Sequence, residues 1–191
     1  MHIIDLAEQT RLLGQIPAEI ADLRAEIEGV RAGELNRPVR EIAPIAVRTH
    51  HLAGKCLQQL DTLSTSQYAV MKGGHENLAH LSEAAVRVSV AASLCTYGIT
   101  GRTDALLYED SDRTPQTSRR HLAEAVAELD LAAGTYGALA QGLSRRLASF
   151  TARIEDQALI ERALADHTVT ATTVPGVPAA PSVPNPVATR R

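Results

Sequence analysis

The amino-acid sequence predicts an all-α protein, on two observations. The composition suits helix packing: 45% of the 191 residues are hydrophobic, yet the chain has no tryptophan and one phenylalanine. Alanine and branched aliphatic side chains must therefore fill the core, as they do between packed helices. Apolar residues also recur at three- and four-residue spacing along most of the chain. We expect an elongated bundle of three or four helices, with a coiled-coil-like N-terminal helix and a disordered or extended Pro-rich C-terminal tail.

The first predicted unit, residues 1–33, has the clearest helical period. Its apolar residues form a narrow stripe with the alternating spacing of a coiled coil. We name this stripe the seam; it consists of Leu6, Leu13, Ile16, Ile20, Leu23, Ile27 and Val30. Gly14 and Pro17 interrupt the pattern, so we expect a kink near residues 14–17 and a main helix from Pro17 to about Ala32. So narrow a seam needs a partner helix, from the same chain or from another copy.

The second unit, residues 39–166, is predicted to hold the remaining helices. One helix begins between Val39 and Pro44; Ser-Thr-Ser at 64–66 is a candidate bend, and the glycine pair at 73–74 ends whatever follows it. The next runs from His75 to about Tyr97, where Gly98 and Gly101 are expected to end it. The segment 102–114 is polar and is predicted to be a loop with one helical turn at most.

The last predicted helix is unusually long. Thr114 and Pro115 provide a helix start, and the helical pattern persists to about Asp166. An unbroken helix of this length would measure about 75 Å, so it must break near its glycines or project from the bundle. We favour a projecting or partner-bound C-terminal part. Residues 167–191 carry five prolines and form the predicted tail.

The segment "LAAGTYGALAQG", residues 131–142, carries no charge and three glycines, Gly134, Gly137 and Gly142. A helix that is apolar all round is normally buried, and each interior glycine costs about 0.5–1 kcal/mol relative to alanine. We therefore predict close packing of another helix backbone at these glycines. The Thr-Tyr-Gly tripeptide at 135–137 also occurs at 96–98. Tyr136 lies on the apolar stripe of its helix, whereas Tyr97 lies opposite its stripe, so the repeat is interpreted as chance.

Charge and composition argue against several classes of partner. The formal net charge is −3, and the basic residues form only short, scattered pairs, so no nucleic acid is expected. The uncharged runs 88–101 and 131–144 are each 14 residues long, shorter than the roughly 18 that a membrane span needs. The N-terminal residues lack the features of a signal peptide. A cytoplasmic location, or a place in a soluble particle, is expected.

Metal and thiol chemistry find little support in the sequence. Cys56 and Cys95 lie on apolar helical stripes and are interpreted as buried thiols, with a disulfide or metal ligation as the alternatives. Glu76 and His80, four residues apart, are a candidate metal pair, and His121 lies near Glu124. Surface polar pairs are the ordinary explanation, so we assign no metal, no cofactor and no catalytic residue.

The stretch "HHLAGKC", His50 to Cys56, resembles the H-x-L-K-G motif of histidine-phosphotransfer domains. His50, Leu52 and Gly54 match that motif, whereas Ala53 stands where the family has lysine and Lys55 comes one residue later. The resemblance implies a four-helix bundle with His50 as an exposed phosphate acceptor. Displacing the lysine by one residue turns it by about 100° around the helix, which puts its role in doubt.

The predicted function is structural. We expect a non-enzymatic scaffolding or adaptor protein that acts through helix-mediated oligomerisation or docking into a larger assembly, with the seam as the interaction surface. Its partner would be a second copy or another helical protein, and the Pro-rich tail would contact a neighbouring subunit. The alternatives are a phosphotransfer module that uses His50 and a ligand- or metal-binding bundle.

Overall fold

A computed structural model describes residues 2–107 and 115–171, with the side chains of 150 and 168–171 left aside. The described part confirms an all-helical protein, since it contains five α-helices packed against each other and no strand. The helices are α1 (Leu6–Ala32), α2 (Pro38–Ser64), α3 (Gly74–Leu107), α4 (Gln116–Ala148) and α5 (Phe150–Ala171). A short 3₁₀ helix, Gln67–Val70, lies between α2 and α3.

The first four helices alternate in direction. The ion pair between Glu19 and Lys55, at 2.9 Å, joins the middle of α1 to the second half of α2, and Arg48 in the first half of α2 pairs with Glu26 in the second half of α1. Arg24 of α1 pairs with Asp130 of α4 at 2.8 Å. Adjacent helices pack closely from α2 to α3, from α3 to α4 and from α4 back to α1, whereas α1 and α2 meet more loosely. The core fills the centre, and a cleft is left where α1 and α2 diverge.

α1 is continuous where the sequence predicts a kink and a restart. It begins at Leu6, because the carboxylate of Asp5 accepts the backbone N–H of Ala7 at 2.9 Å and so caps the helix. It then passes through Pro17 without ending. Packing against α4 supports this stretch, since the Pro17 ring lies beside Gly137, with 4.0 Å between the Pro17 Cγ and the place of a Cβ on that glycine.

The end of α2 is fixed by the residues before α1. The N–H of His2 donates to the carbonyl of Thr65 at 3.0 Å. The buried Gln67 side chain accepts the N–H of Ile4 at 2.8 Å and donates to the Ile4 carbonyl at 2.6 Å. These bonds hold the N-terminal strand-like residues and the 3₁₀ helix at one end of the molecule.

α3 extends ten residues beyond the predicted end at Tyr97, to Leu107. Gly98 and Gly101 lie inside the helix and serve packing rather than termination. A Cβ at Gly98 would lie 3.5 Å from Leu122 of α4, and the Gly98 carbonyl accepts the buried Ser118 hydroxyl at 2.7 Å. The loss of helix propensity at Gly98 is thus offset by close contact between α3 and α4. Of the predicted polar loop, 108–114 lie outside the described residues.

The long C-terminal helical run breaks at Ser149, away from the glycines where a break was considered. Ser149 is extended, with φ −81° and ψ 120°, and its hydroxyl accepts the N–H of Ala152 at 3.4 Å to start α5. α5 then contacts chiefly the end of α4 and the 3₁₀ helix. It continues to Ala171, so residues 167–171, predicted as tail, are helical. The rest of the predicted Pro-rich tail lies outside the described residues.

Candidate functional site

Exposed apolar side chains of α2 and α3 line up on one side of the molecule. On each helix they follow a second stripe, distinct from the buried one, at three- and four-residue spacing. We name this surface the docking face. It consists of Val47, His50, Gly54 and Leu57 on α2, and Val86, Val90, Ser93 and Tyr97 on α3.

The docking face carries no acidic residue, lysine or arginine. The nearby cations of α2 point toward α1, where Arg48 pairs with Glu26 and Lys55 pairs with Glu19. α3 has no charged residue at all between Arg87 and Arg102. The side chains of the face are nevertheless open to water, with Val47 at 68%, Tyr97 at 58% and Val86 at 56% of full exposure. Large exposed apolar patches mark interaction sites in soluble proteins.

A shallow groove of about 380 Å³ runs along the docking face between Leu57 and Tyr97. The two serines that line it are already satisfied. The Ser89 hydroxyl donates to the Ala85 carbonyl at 2.9 Å, and the Ser93 hydroxyl donates to the Ser89 carbonyl at 3.1 Å. The two serines of the groove therefore offer no free hydrogen-bond donor, and its remaining lining is apolar apart from the Tyr97 hydroxyl.

One end of the docking face has a polar and aromatic border. The His50 Nε2 atom lies 3.4 Å from the Thr96 hydroxyl, across the contact between α2 and α3. The Tyr97 ring lies 6.0 Å from the His121 ring of α4, at an interplanar angle of 50°. These two contacts lie at the aromatic end of the face.

The structure buries the seam within the same chain. Five of its residues, Leu13, Ile16, Ile20, Leu23 and Ile27, are at most 5% exposed and belong to the core shared by the helices. Leu6 and Val30 are partly buried against that core. The partner that the seam needs is supplied by the chain's own helices, one of the two sources left open above. The seam therefore offers no free surface to a second copy.

The predicted close packing at the glycines of α4 is found at one position of three. Gly137 faces Pro17 of α1 at van der Waals distance. Gly134 and Gly142 are exposed, and within the described chain nothing lies within 4 Å of a Cβ placed on either. The reason is that the uncharged segment is not wholly buried: Leu131, on the outer side of α4, is 53% exposed.

The stretch that resembles a phosphotransfer motif is split between two sides of α2. His50 is exposed on the docking face. Lys55 lies on the side toward α1, with its Nζ 2.9 Å from Glu19. Among the described residues, the polar contact of the His50 ring is with Thr96, and no lysine or arginine is hydrogen-bonded to it. The arrangement thus lacks the cation beside the histidine that the motif supplies in that family.

The candidate metal ligands do not converge. Glu76 and His80 are exposed on the first turns of α3, and the His121 Nδ1 lies 3.7 Å from Glu124 at the surface of α4. Across residues 2–107 and 115–171, no group of three or more histidine, cysteine or acidic side chains comes together. The residues present form pairs, which is fewer ligands than a structural metal site uses.

Both cysteines are buried free thiols. Burial raises the pKa of the Cys95 thiol to about 11, with Thr49 beside it as a weaker, opposing influence. Burial also raises the pKa of Cys56, which lies near the Tyr136 hydroxyl. The contact between the Cys56 thiol and the Tyr136 hydroxyl lowers the pKa of Cys56 and raises that of Tyr136. It does not have the geometry of a hydrogen bond, so among the described residues the Tyr136 hydroxyl has no hydrogen-bond partner.

By length and composition, α3 is long and apolar enough to cross a membrane. In the folded protein, 39% of its most apolar 18-residue window is buried. The core helix of a soluble protein passes the same test. Here α3 packs on α2 along one side and on α4 along another. Its exposed apolar side chains are those of the docking face. In the sequence this exposed stripe of α3 consists of Val86, Val90, Ser93 and Tyr97. Spacing alone does not distinguish it from the buried stripe of the same helix.

No family model, no curated protein and no solved structure matches this chain.

Proposed function

We propose that this chain is a non-enzymatic scaffolding or adaptor protein, and that two copies associate through their docking faces. The observation that supports this proposal is the exposed, charge-free surface on α2 and α3. Burying apolar surface stabilises an interface by about 25 cal/mol for each Å² removed from water. A soluble location, in the cytoplasm or within a soluble particle, belongs to the same proposal.

A second copy suits this face better than a partner of another chemistry. Because the face has no charge, it selects no oppositely charged partner, and two identical faces meet without like-charge repulsion. The helices of a second copy satisfy their own backbone hydrogen bonds. The hydroxyls of Ser89 and Ser93 donate within α3, so these serines need no hydrogen-bond acceptor from the second copy. A two-fold axis would set each face against itself, as in most homodimers.

The centre of the face has room for a close approach. Gly54 lies inside α2, and nothing described lies within 4 Å of a Cβ placed on it. A glycine at this position costs helix stability without serving any contact inside the chain. A bulky side chain of the second copy, such as Leu57 or Val90, would fit over it.

Light scattering coupled to size exclusion, on the full chain over a range of micromolar concentrations, tests the proposal. The expected mass approaches twice the 20.4 kDa of one chain. Leu57→Glu should return the mass to that of one chain, because it buries a carboxylate in the interface. Leu131→Glu is a matched control, since Leu131 is exposed to the same degree on α4, outside the face.

Three outcomes would overturn the proposal. The first is a single-chain mass at every concentration. The second is a dimer that Leu57→Glu leaves intact while circular dichroism shows both variants folded. The third is a monomer that acquires mass only with a different protein, which would rule out the second copy as the occupant.

A further inference from the structure

The docking face contains a histidine on a surface that is otherwise uncharged. Among the residues of the face, His50 is the one whose charge changes between about pH 5 and pH 8. Its side chain is exposed, and along α2 it stands one turn after Val47 and one turn before Gly54, so positions of the face lie on both sides of it. Protonation of His50 therefore places a positive charge within the face itself.

The contact between His50 and Thr96 is compatible with both protonation states of the ring. The Thr96 hydroxyl donates its own proton to the Ala92 carbonyl at 3.1 Å. Toward the His50 Nε2 atom, 3.4 Å away, this hydroxyl is therefore the acceptor, and Nε2 carries the N–H. Nδ1 is then the nitrogen that takes up a second proton. The contact orients the ring without opposing its protonation.

Neither α3 nor α4 provides a carboxylate that pairs with a charged His50. Residues 88–101 of α3 include no acidic or basic side chain, and Tyr97, which belongs to the face, is neutral near pH 7. Behind Tyr97, α4 contributes His121, which lies 3.7 Å from Glu124. A proton on His121 is thus matched by a neighbouring carboxylate, whereas a proton on His50 is not.

The charged groups between α1 and α2 lie on another side of α2. They are Glu19 and Glu26 of α1, which pair with Lys55 and Arg48 of α2, and Asp22, which shares their side of α1. Lys55 is turned about 140° around α2 from His50, and Arg48 about 160°. The titratable group of the 3₁₀ helix, Tyr68, lies beyond the end of α2, about 20 Å farther along the axis. Among the described residues, no carboxylate pairs with His50.

We propose that protonation of His50 separates two copies that are joined through their docking faces, so that the association is lost between about pH 7.5 and pH 5.5. This inference rests on the proposed function. At the higher pH the neutral ring is covered like the rest of the face. At the lower pH, association would bury an unmatched positive charge on each copy and set two like charges into one interface. The separate copies therefore bind protons more readily than the dimer does, and falling pH favours the separate copies.

Sedimentation equilibrium of the full chain at pH 7.5 and pH 5.5, at one ionic strength, tests this proposal. The dissociation constant of the parent dimer should rise about 100-fold, a factor of about 10 for each of the two protons taken up. His50→Gln, which is neutral at both pH values, should change it less than about threefold. His51→Gln is the matched control, because His51 is also exposed but is turned about 100° around α2, outside the face. It should follow the parent protein, and circular dichroism at pH 5.5 should show every variant folded.

The results separate this inference from the proposed function. A parent dimer that is equally tight at both pH values would overturn the switch and leave the proposed dimer standing. An equal rise for the parent protein and His50→Gln would overturn it too, because another group would then cause the pH dependence. Loss of the dimer by His50→Gln already at pH 7.5 would show that the ring serves contact rather than titration. A single-chain mass at both pH values would overturn the dimer and the switch together.

Discussion

The guanidinium of Arg146 and the carboxylate of Asp156 form a partly buried ion pair across the break at Ser149, with 2.6 Å between Arg146 Nε and Asp156 Oδ2. Arg146 also donates to the carbonyl of Lys72 at 2.8 Å. One side chain thus joins the end of α4, the second turn of α5 and the residues that precede α3. The pairing with Asp156 keeps the pKa of Arg146 above its ordinary value.

Asp156→Ala should release α5 while leaving the first four helices folded. The substitution leaves the half-buried Arg146 guanidinium without its carboxylate acceptor, which costs about 1–3 kcal/mol. Amide hydrogen exchange should show faster exchange throughout α5 and little change in α3. Glu155→Ala is the control, because the exposed pair between Glu155 and Lys72, at 3.4 Å, contributes little. Equal exchange rates in α5 for both variants would contradict this role of Asp156.

Gly134→Ala should raise the free energy of unfolding by about 0.5–1 kcal/mol. Gly134 lies inside α4, and nothing described would touch an added methyl group. Urea unfolding followed by circular dichroism measures the change. Gly74→Ala should do the opposite, because its Cβ would lie 2.2 Å from the Tyr68 carbonyl oxygen. A destabilised Gly134→Ala would mean that the outer side of α4 has a contact other than those described.

Tyr136→Phe should stabilise the protein by about 1 kcal/mol, since it removes a buried hydroxyl that has no hydrogen-bond partner in the described chain. Thermal unfolding of the variant beside the parent protein measures the effect. A destabilised Tyr136→Phe would show that the hydroxyl has a hydrogen-bond partner in the folded protein.

The stability of the protein should fall between about pH 9 and pH 11. The Cys95 thiol has a pKa of about 11 in the folded protein, against an ordinary value of 9.0. Above pH 9 the unfolded chain loses this proton more readily than the folded one, so rising pH favours unfolding. Urea midpoints at pH 7, 9 and 10.5 measure the slope. Cys95→Ala, although less stable at every pH, should show a smaller decline, and an unchanged slope would contradict the assignment.

The sequence by itself determined the secondary structure to a large extent. Apolar residues follow the 3.6-residue period in the seam of α1, in the buried stripe of α2 and in the alanine-rich buried stripes of α3 and α4. Each of these segments is helical. This succeeds because apolar periodicity and helix geometry are local properties of the chain. The narrow seam also indicated that another helix covers it. The sequence did not indicate whether that helix belongs to the same chain or to another copy.

Breaks and surfaces depended on tertiary structure. Gly98 was expected to end α3, yet the contact with Leu122 keeps it inside the helix. The C-terminal helical run breaks at Ser149, where no glycine stands, and the pairing of Arg146 with Asp156 holds α5 against the end of α4 and the 3₁₀ helix. Local propensity cannot register contacts between residues that are distant in the chain.

The docking face depends on tertiary structure in the same way. A stripe on α2 and a stripe on α3 become one surface only when the two helices lie side by side. Spacing along one helix tells which residues share a side. Which side remains open to water depends on where the other helices pack, and that is a property of the folded molecule alone.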